Sequence, residues 1–353
     1  MNAPSPVPLR RPEDLVAHGP LHDRGLWGLF GGTPLVEVRY LLDGRPGRVF
    51  AKYEQRNMTG STKDRMAAWI LARAYEAGTL HPGDTIAEAT SGNTGVSFSA
   101  LGRALGHPVR IYMPDWMSRE RVDLIRSFGA EIVPVSRDQG GFVGSIAQCE
   151  EYACTTPRVF LPRQFQNPAN VEAHERFTAA EIACQLASLG LRPDAVVAGV
   201  GTGGTIMGLA RGLRRANPAL KAHPLEPAES PTLRVGHKVG KHRIQGISDE
   251  FIPAVVKLAE LDEIVDVSDG DAILMAQALC HDLGLAVGIS SGANVLGAIQ
   301  RAEAMGPEAV VVTVLADSNK KYLSTDLCRE EPVRPEHVTP RVNLQPMRVV
   351  RGV

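Results

Sequence analysis

What the chain lacks narrows it before any motif does. Its five cysteines, Cys149, Cys154, Cys184, Cys280 and Cys328, form no CxxC pair and no Cys/His cluster, and their odd number argues against a fully paired disulfide framework. They read as mostly buried thiols. His174, His223, His237 and His242 lack metal-ligand spacing, so no metal is expected, and no Ser-His-Asp order is discernible. An excess of one charge is also missing. With Lys+Arg 38 against Asp+Glu 39 the net charge is -1, which makes no electrostatic case for nucleic acid or an anionic membrane as partner. Apolar runs such as 309–316 are far too short to span a bilayer, and residues 1–20, rich in Pro, His and Arg, lack the apolar core of a signal peptide. A small ligand and a cytoplasmic location are expected.

At 353 residues the chain is long enough for two packed domains or one large α/β unit. From about residue 85, short apolar runs at 85–87, 109–113, 131–135, 195–199 and 309–315 alternate with segments of helical period, the pattern of a parallel sheet covered by helices on both faces. The segment after Lys63 sets Met66, Ala67, Ile70, Leu71 and Tyr75 near one helical face. A second helix is expected from near Thr94 toward Leu105. Ser118 can cap a third through Phe128, stopped by Gly129, and Ser268 with Asp271 has the form of a capping box before 272–282. The two sets of βα units are expected to join near 162–170. From about Arg329 the chain loses periodicity and reads as an extended tail.

Four segments carry chemistry. Gly60-Ser61-Thr62-Lys63-Asp64-Arg65 turns tightly into a helix and places Lys63 at its start. A lysine there is usually a solvated surface residue, but in a partly desolvated pocket its lowered pKa makes it a nucleophile. Thr90-Ser91-Gly92-Asn93-Thr94-Gly95 joins a strand to a helix, so N–H groups and hydroxyls converge where an anion is favoured, although simple N-capping would use the same groups. Gly201-Thr202-Gly203-Gly204-Thr205 opens another helix, with glycines that let the backbone close on a phosphate and no Walker lysine. Alone it fits a dinucleotide fingerprint equally well, with Glu226 as the acidic residue such a fold requires. Ser290-Ser291-Gly292 starts one more helix, where capping is the plain alternative.

Taken together these segments, with Gln164-Phe165-Gln166-Asn167-Pro168-Ala169-Asn170 and Ile244-Gln245-Gly246-Ile247, resemble the cysteine synthase and cystathionine β-synthase family of pyridoxal-phosphate enzymes, within the tryptophan-synthase-like fold group. The resemblance runs from Gly31 through Thr325. It implies two open, twisted, mainly parallel-sheet α/β domains with pyridoxal 5'-phosphate in the cleft between them, and a homodimer. It implies domain limits at 1–19 for an N-terminal tail, 45–165 for the smaller domain, 20–44 with 166–328 for the larger cofactor domain, and 329–353 for a C-terminal tail. By the same resemblance Lys63 is the catalytic residue bonded to the cofactor, and Asn93 meets its ring hydroxyl. Gly201, Thr202, Gly203, Gly204 and Thr205 hold the phosphate, and Ser290 faces the pyridine nitrogen. Thr90, Ser91, Gly92, Thr94 and Gln164 grip the amino-acid carboxylate. A neutral hydroxyl on the ring nitrogen suits β-elimination better than transamination, because it does not favour ring protonation.

The implied reaction is β-replacement on serine or an O-activated serine through an aminoacrylate, giving cysteine or a β-substituted alanine. A β-eliminating lyase or dehydratase and a cleft-binding scaffold are the alternatives. Met58, Ala89 and Asn319 depart from the family pattern. So do Ser248-Asp249-Glu250, whose two carboxylates near the cleft put an anionic second substrate in doubt.

Overall fold

The computed structural model describes residues 19–351, so most of the expected N-terminal tail and the last two residues lie outside them. The chain builds two sheets. β1 (Leu35–Leu42) and β2 (Arg45–Tyr53) form an antiparallel hairpin across Asp43-Gly44, both at positive φ (50° and 79°), as a two-residue turn between right-twisted strands requires. β3 (Thr85–Ala89), β4 (Val109–Pro114), β5 (Glu131–Val135) and β6 (Val159–Phe160) make a parallel four-stranded sheet in the order β5-β4-β3-β6. β7 (Ala195–Gly199), β8 (Lys221–Pro227), β9 (Val265–Val267), β10 (Val311–Leu315) and β11 (Val342–Val350) join the hairpin in a seven-stranded sheet, ordered β11-β1-β2-β10-β7-β8-β9.

The principal helices are α1 (Lys63–Glu76), α2 (Asn93–Leu105), α3 (Arg119–Ser127), α4 (Gly141–Thr155), α5 (Pro168–Ala173), α6 (Ala179–Ala187), α7 (Gly204–Leu213), α8 (Asp269–Leu283) and α9 (Ile289–Met305). Helices α8 and α9 cover one face of the larger sheet through Ile273, Leu279, Leu296 and Ile299, while α6 and α7 cover the other through Ile182, Leu186, Ile206 and Leu209. Helices α1 and α2 lie on the smaller sheet, with Met66, Ile70, Phe98 and Leu101 packed on Ile86 and Ile111. Burial on both faces explains the continuous apolar runs of the central strands.

Two expectations about boundaries change. Arg45–Tyr53 was placed in the smaller domain, but β2 pairs in parallel with β10 and belongs to the larger sheet. The stretch after 329 was read as a tail, yet β11 extends the larger sheet, antiparallel to β1. Its alternating exposure marks a half-covered edge strand. Side-chain capping also differs from expectation. Ser118 stands at the N-cap of α3, but its hydroxyl donates to Lys321 O at 3.0 Å instead of capping. Ser268 accepts from Asp271 N, whereas the Asp271 carboxylate receives Val338 N (2.7 Å) and Thr339 N (2.9 Å), so the box stays open and tethers the C-terminal segment.

Beneath the start of α1 lies a buried charge cluster. Arg65 donates to both Glu54 oxygens (2.6 and 2.8 Å) and both Glu181 oxygens (2.7 and 2.8 Å). Lys52, fully buried, meets Glu181 at 2.7 Å and donates to Thr33 O at 2.6 Å and Gln185 Oε1 at 2.8 Å. Burial pushes the Glu181 carboxyl up, but Arg65 and Lys52 outweigh it and hold the group well below the usual carboxylate range. Such a group contributes stability above its unfolded pKa and loses it as pH falls. Glu181→Gln is therefore expected to cost about 3 kcal/mol at pH 7, with the gap to wild type narrowing once pH drops below roughly 4. Urea unfolding of cofactor-free protein at pH 7 and pH 3 measures it; an equal gap at both would show that the Glu181 charge is not the source.

Candidate active site

A cavity opens between the two sheets at the C-terminal ends of their parallel strands, where loops after β3, β7 and β10 converge. Lys63 lines it from the first position of α1. Its loop is tied to the end of β10 by a bridge between Ser61 and Asp317 and by Thr62 N donating to Ala316 O at 2.9 Å. Asp64 turns back to accept Thr59 N (2.8 Å), Ser61 N (3.3 Å) and the Ser97 hydroxyl (2.6 Å), which pins the turn to α2. Arg65 enters the buried charge cluster. Three consecutive residues thus point three ways, and only Lys63 is delivered to the cavity. Burial lowers its amine pKa, against the opposing pull of Asp317 and Asp249. That raises the fraction of neutral amine.

The loop from β3 to α2 brings Thr90, Ser91, Gly92, Asn93 and Thr94 to the same cavity. Gln164 holds it in place: Thr94 Oγ1 donates to Gln164 Oε1 at 2.6 Å, and Gln164 Nε2 donates to Ala89 O at 2.8 Å. Opposite, the loop from β7 to α7 contributes Gly201, Thr202, Gly203 and Thr205. A Cβ on Gly201 would stand 2.3 Å from Gly246 O, and one on Gly204 only 1.9 Å from Asn170 Oδ1. Gly203 adds a positive φ of 83° and a Cβ position 2.1 Å from Val256 Cγ2. No side chain fits at these three positions. Gly204 itself does not line the cavity; it packs against Asn170, whose Nδ2 donates to Thr202 Oγ1 at 2.9 Å. Glu226, the acidic residue a dinucleotide site would need, is buried away from the cavity and accepts Leu233 N at 2.6 Å.

Ser290 lines the cavity from the first turn of α9, while Ser291 is engaged by Ala316 N at 2.9 Å and Asn294 spans Gly199 N and Val314 O, both at 2.8 Å. Asp249 also lines the wall, its carboxyl pushed up to about 6 by burial and drawn down by Lys63 and Lys238. Glu250 does not: it faces Lys238 at 3.8 Å. Ser248, at φ 55°, donates its hydroxyl hydrogen to Ser230 O at 2.9 Å.

Arg121, Gln245, Asn294 and Tyr322 line the cavity without having been singled out from sequence. Arg121 donates to Ser91 O (2.9 Å) and to Gln245 Oε1, and stacks 4.7 Å from the Tyr322 ring centre. Its position among the charges of α3 resembles a solvated face, so no local signal marked it. Gln245 lay within Ile244-Gln245-Gly246-Ile247, a string read only as a family mark.

The residues present fit pyridoxal phosphate. Two helix N-termini, of α2 and α7, face the cavity and can receive two anionic groups. An amine with a lowered pKa stands between, and the Thr62 hydroxyl on the wall is buried without a hydrogen-bond partner. The family profile of pyridoxal-phosphate dependent enzymes matches residues 26–317, and the chain belongs to that family. Within it, the chain is 40% identical over 299 residues to a probable cysteine synthase of Bacillus subtilis (strain 168), covering 85% of this chain and 96% of that protein. A hydrogen sulfide-producing enzyme from Fusobacterium nucleatum superposes with TM-score 0.91 at 52% identity, covering 93% of this chain and 98% of that one. A variant of that enzyme, complexed with an α-aminoacrylate intermediate, gives the same values. Cysteine synthase from Entamoeba histolytica gives TM-score 0.80 at 33% identity, covering 95% and 97%.

Gly203→Ala tests the turn. It is expected to destabilise the cofactor-free protein by about 1–3 kcal/mol, since a Cβ meets both an unfavourable φ and Val256, and to weaken cofactor retention as well. Thermal melts with and without added cofactor measure both; an unchanged cofactor affinity would separate this loop from cofactor binding.

Proposed function

We propose that the chain catalyses β-replacement on serine or an O-activated serine, exchanging the β-substituent for a small nucleophile to give cysteine or a β-substituted alanine. The observation that carries this is the half-buried, pKa-lowered Lys63 amine lining the cavity that two helix N-termini face. Relatives that are cysteine synthases support the reaction class. When bound, pyridoxal phosphate supplies a carbon that Lys63 can hold covalently and a ring that accepts the electron pair released at the substrate α-carbon. The N–H groups and hydroxyls of Thr90, Ser91, Gly92 and Thr94 bind the substrate carboxylate, with Gln164 keeping that loop in register. The 201–205 turn would receive the phosphate, Asn93 would meet the ring oxygen and Ser290 would face the ring nitrogen. Lys63, in its neutral form, would take the substrate α-proton. Arg121, which donates to Ser91 O and to Gln245 Oε1, ties that loop to the larger domain.

Homodimer formation and a cytoplasmic setting are proposed on the family resemblance. All five cysteines are free in the structure, in keeping with a reducing compartment. No described helix is long and apolar enough to cross a membrane.

The purified protein is expected to be yellow, and borohydride should fix the cofactor on Lys63. Lys63→Ala should lose the visible band and slow turnover of acetylserine, phosphoserine, serine or cysteine by about 10²–10⁴-fold. Peptide mapping that places the reduced cofactor on another lysine would overturn the assignment.

Asp249 bears on the nucleophile. Its carboxyl, at about 6, adds a negative charge to the cavity as pH rises past that value, so anionic acceptors should be depleted relative to neutral ones. The ratio of thiosulfate transfer to transfer onto an acceptor that stays uncharged between pH 5 and pH 7 is expected to fall about tenfold over that range, the low end of electrostatic focusing. Asp249→Asn should flatten that profile. The same slope in wild type and variant would remove Asp249 from control of the acceptor.

A further inference from the structure

The Asn93 side chain faces the cavity, but its carboxamide is gripped from behind. Nδ2 donates to Asp317 Oδ2 at 2.6 Å, and Oδ1 accepts from Lys321 Nζ at 2.8 Å. Asp317 is fully buried, Lys321 is 4% exposed, and neither lines the cavity. Asp317 Oδ2 also receives the Tyr322 hydroxyl hydrogen. A carboxamide has two N–H donors and one acceptor oxygen, and exchanging the two ends would set N–H against amine and carbonyl against carboxylate. The contact of carbonyl with carboxylate would then repel, as would that of N–H with a protonated amine. One orientation remains, with the oxygen occupied by Lys321 and one N–H occupied by Asp317. One N–H remains, within reach of the cavity and of the Tyr322 hydroxyl oxygen.

We propose that Lys321 and Asp317 are positioning residues that lock Asn93 as an obligate hydrogen-bond donor to the ring oxygen of the bound cofactor. The inference rests on the reading of Asn93 as a cofactor contact and adds what fixes its direction. Hydrogen bonding to a charged oxygen favours the charged form, and a chain from Lys321 through the amide polarises the remaining N–H. Burial lowers the Lys321 amine below its ordinary range, opposed by Asp317 and Asp64. Protonated or neutral, the amine keeps hydrogens to give to Asn93. A fixed donor therefore holds the ring oxygen anionic, and with it the long-wavelength absorbing form of the cofactor.

The test uses purified holoenzyme and reads the ratio of visible to near-ultraviolet cofactor absorbance across pH, together with cofactor affinity from reconstitution. Lys321→Met is expected to lower the ratio and weaken affinity by about tenfold, the scale of one charge-assisted hydrogen bond. Lys321→Arg should restore most of both, Asn93→Ala should reproduce the loss, and the double substitution should add little to either, as for residues acting in one chain. If Lys321→Met does not fold, Lys321→Gln keeps a donor without the charge and should fall between. A wild-type ratio in the Lys321 variants, beside a shifted ratio in Asn93→Ala, overturns the clamp and leaves Lys321 a structural residue. A wild-type ratio in Asn93→Ala overturns the Asn93 contact and the clamp with it. The broader functional reading fails separately, by wild-type protein that binds no cofactor at Lys63.

Discussion

The cluster of Arg65 with Glu54, Glu181 and Lys52 is the constraint on which the site depends. Four charged groups are withdrawn from water, a cost repaid only because each charge faces an opposite one at 2.6–2.8 Å. The geometry that compensates them also fixes the backbone two residues before Arg65. Lys52 and Glu54 come from the end of β2, Glu181 from α6, and Arg65 from α1, so the cluster rivets the larger sheet to the helix that carries Lys63. Asp64 adds a second rivet to α2 through Ser97. Between two residues committed to structure, Lys63 has one direction left. The Lys-Asp-Arg order is a mechanical device as much as a chemical one.

Around that amine the electrostatics are graded. The N-termini of α2 and α7 supply partial positive charge for two anionic groups, and their loops can approach a ligand because the glycines leave no Cβ where Gly246, Val256 and Asn170 press close. Asp249 sets one titratable charge against this field, while Glu250, beside it in sequence, spends its charge on Lys238. A one-residue step thus separates a wall of the cavity from an ion pair outside it. Reading both carboxylates as equivalent overlooked that alternation.

How far the sequence could be read follows from what sets each feature. Strands β3, β4, β7 and β10 are short apolar runs because helices cover both faces, and they and the edge strand β5 stand within a few residues of where the pattern put them. The β1–β2 hairpin escaped notice although Asp43-Gly44 marks its turn, since β1 is buried on both sides through much of its length and loses the period of two. β8 contains Pro224 and Pro227, which argue against a central strand by propensity; tertiary pairing with β7 and β9 overrides them. In the site, Lys63, Asn93 and the glycine turn were legible because their motifs are local. Arg121, Gln245 and Tyr322 were not, because they reach the cavity only after the two domains meet.

The segment 316–324 shows why such residues stay hidden. Asp317 stands behind the cavity wall. Ala316 O accepts Thr62 N, and Asp317 bridges Ser61 and receives Asn93. Ser318 bridges Val287, Lys321 reaches Asn93 through Nζ and Ser118 through its carbonyl, and Ser324 donates to Glu120 from both its backbone N–H and its hydroxyl. The lysine turn, the loop from β3 to α2, the turn before α9 and the first turn of α3 therefore share one short partner. Any shift in it would be felt in all four at once, because each is held by direct hydrogen bonds and not by sliding apolar packing. No single residue of the segment has a motif, and its role exists only as the sum of contacts to elements far away in sequence. The site is assembled by that shared support as much as by the loops that line it.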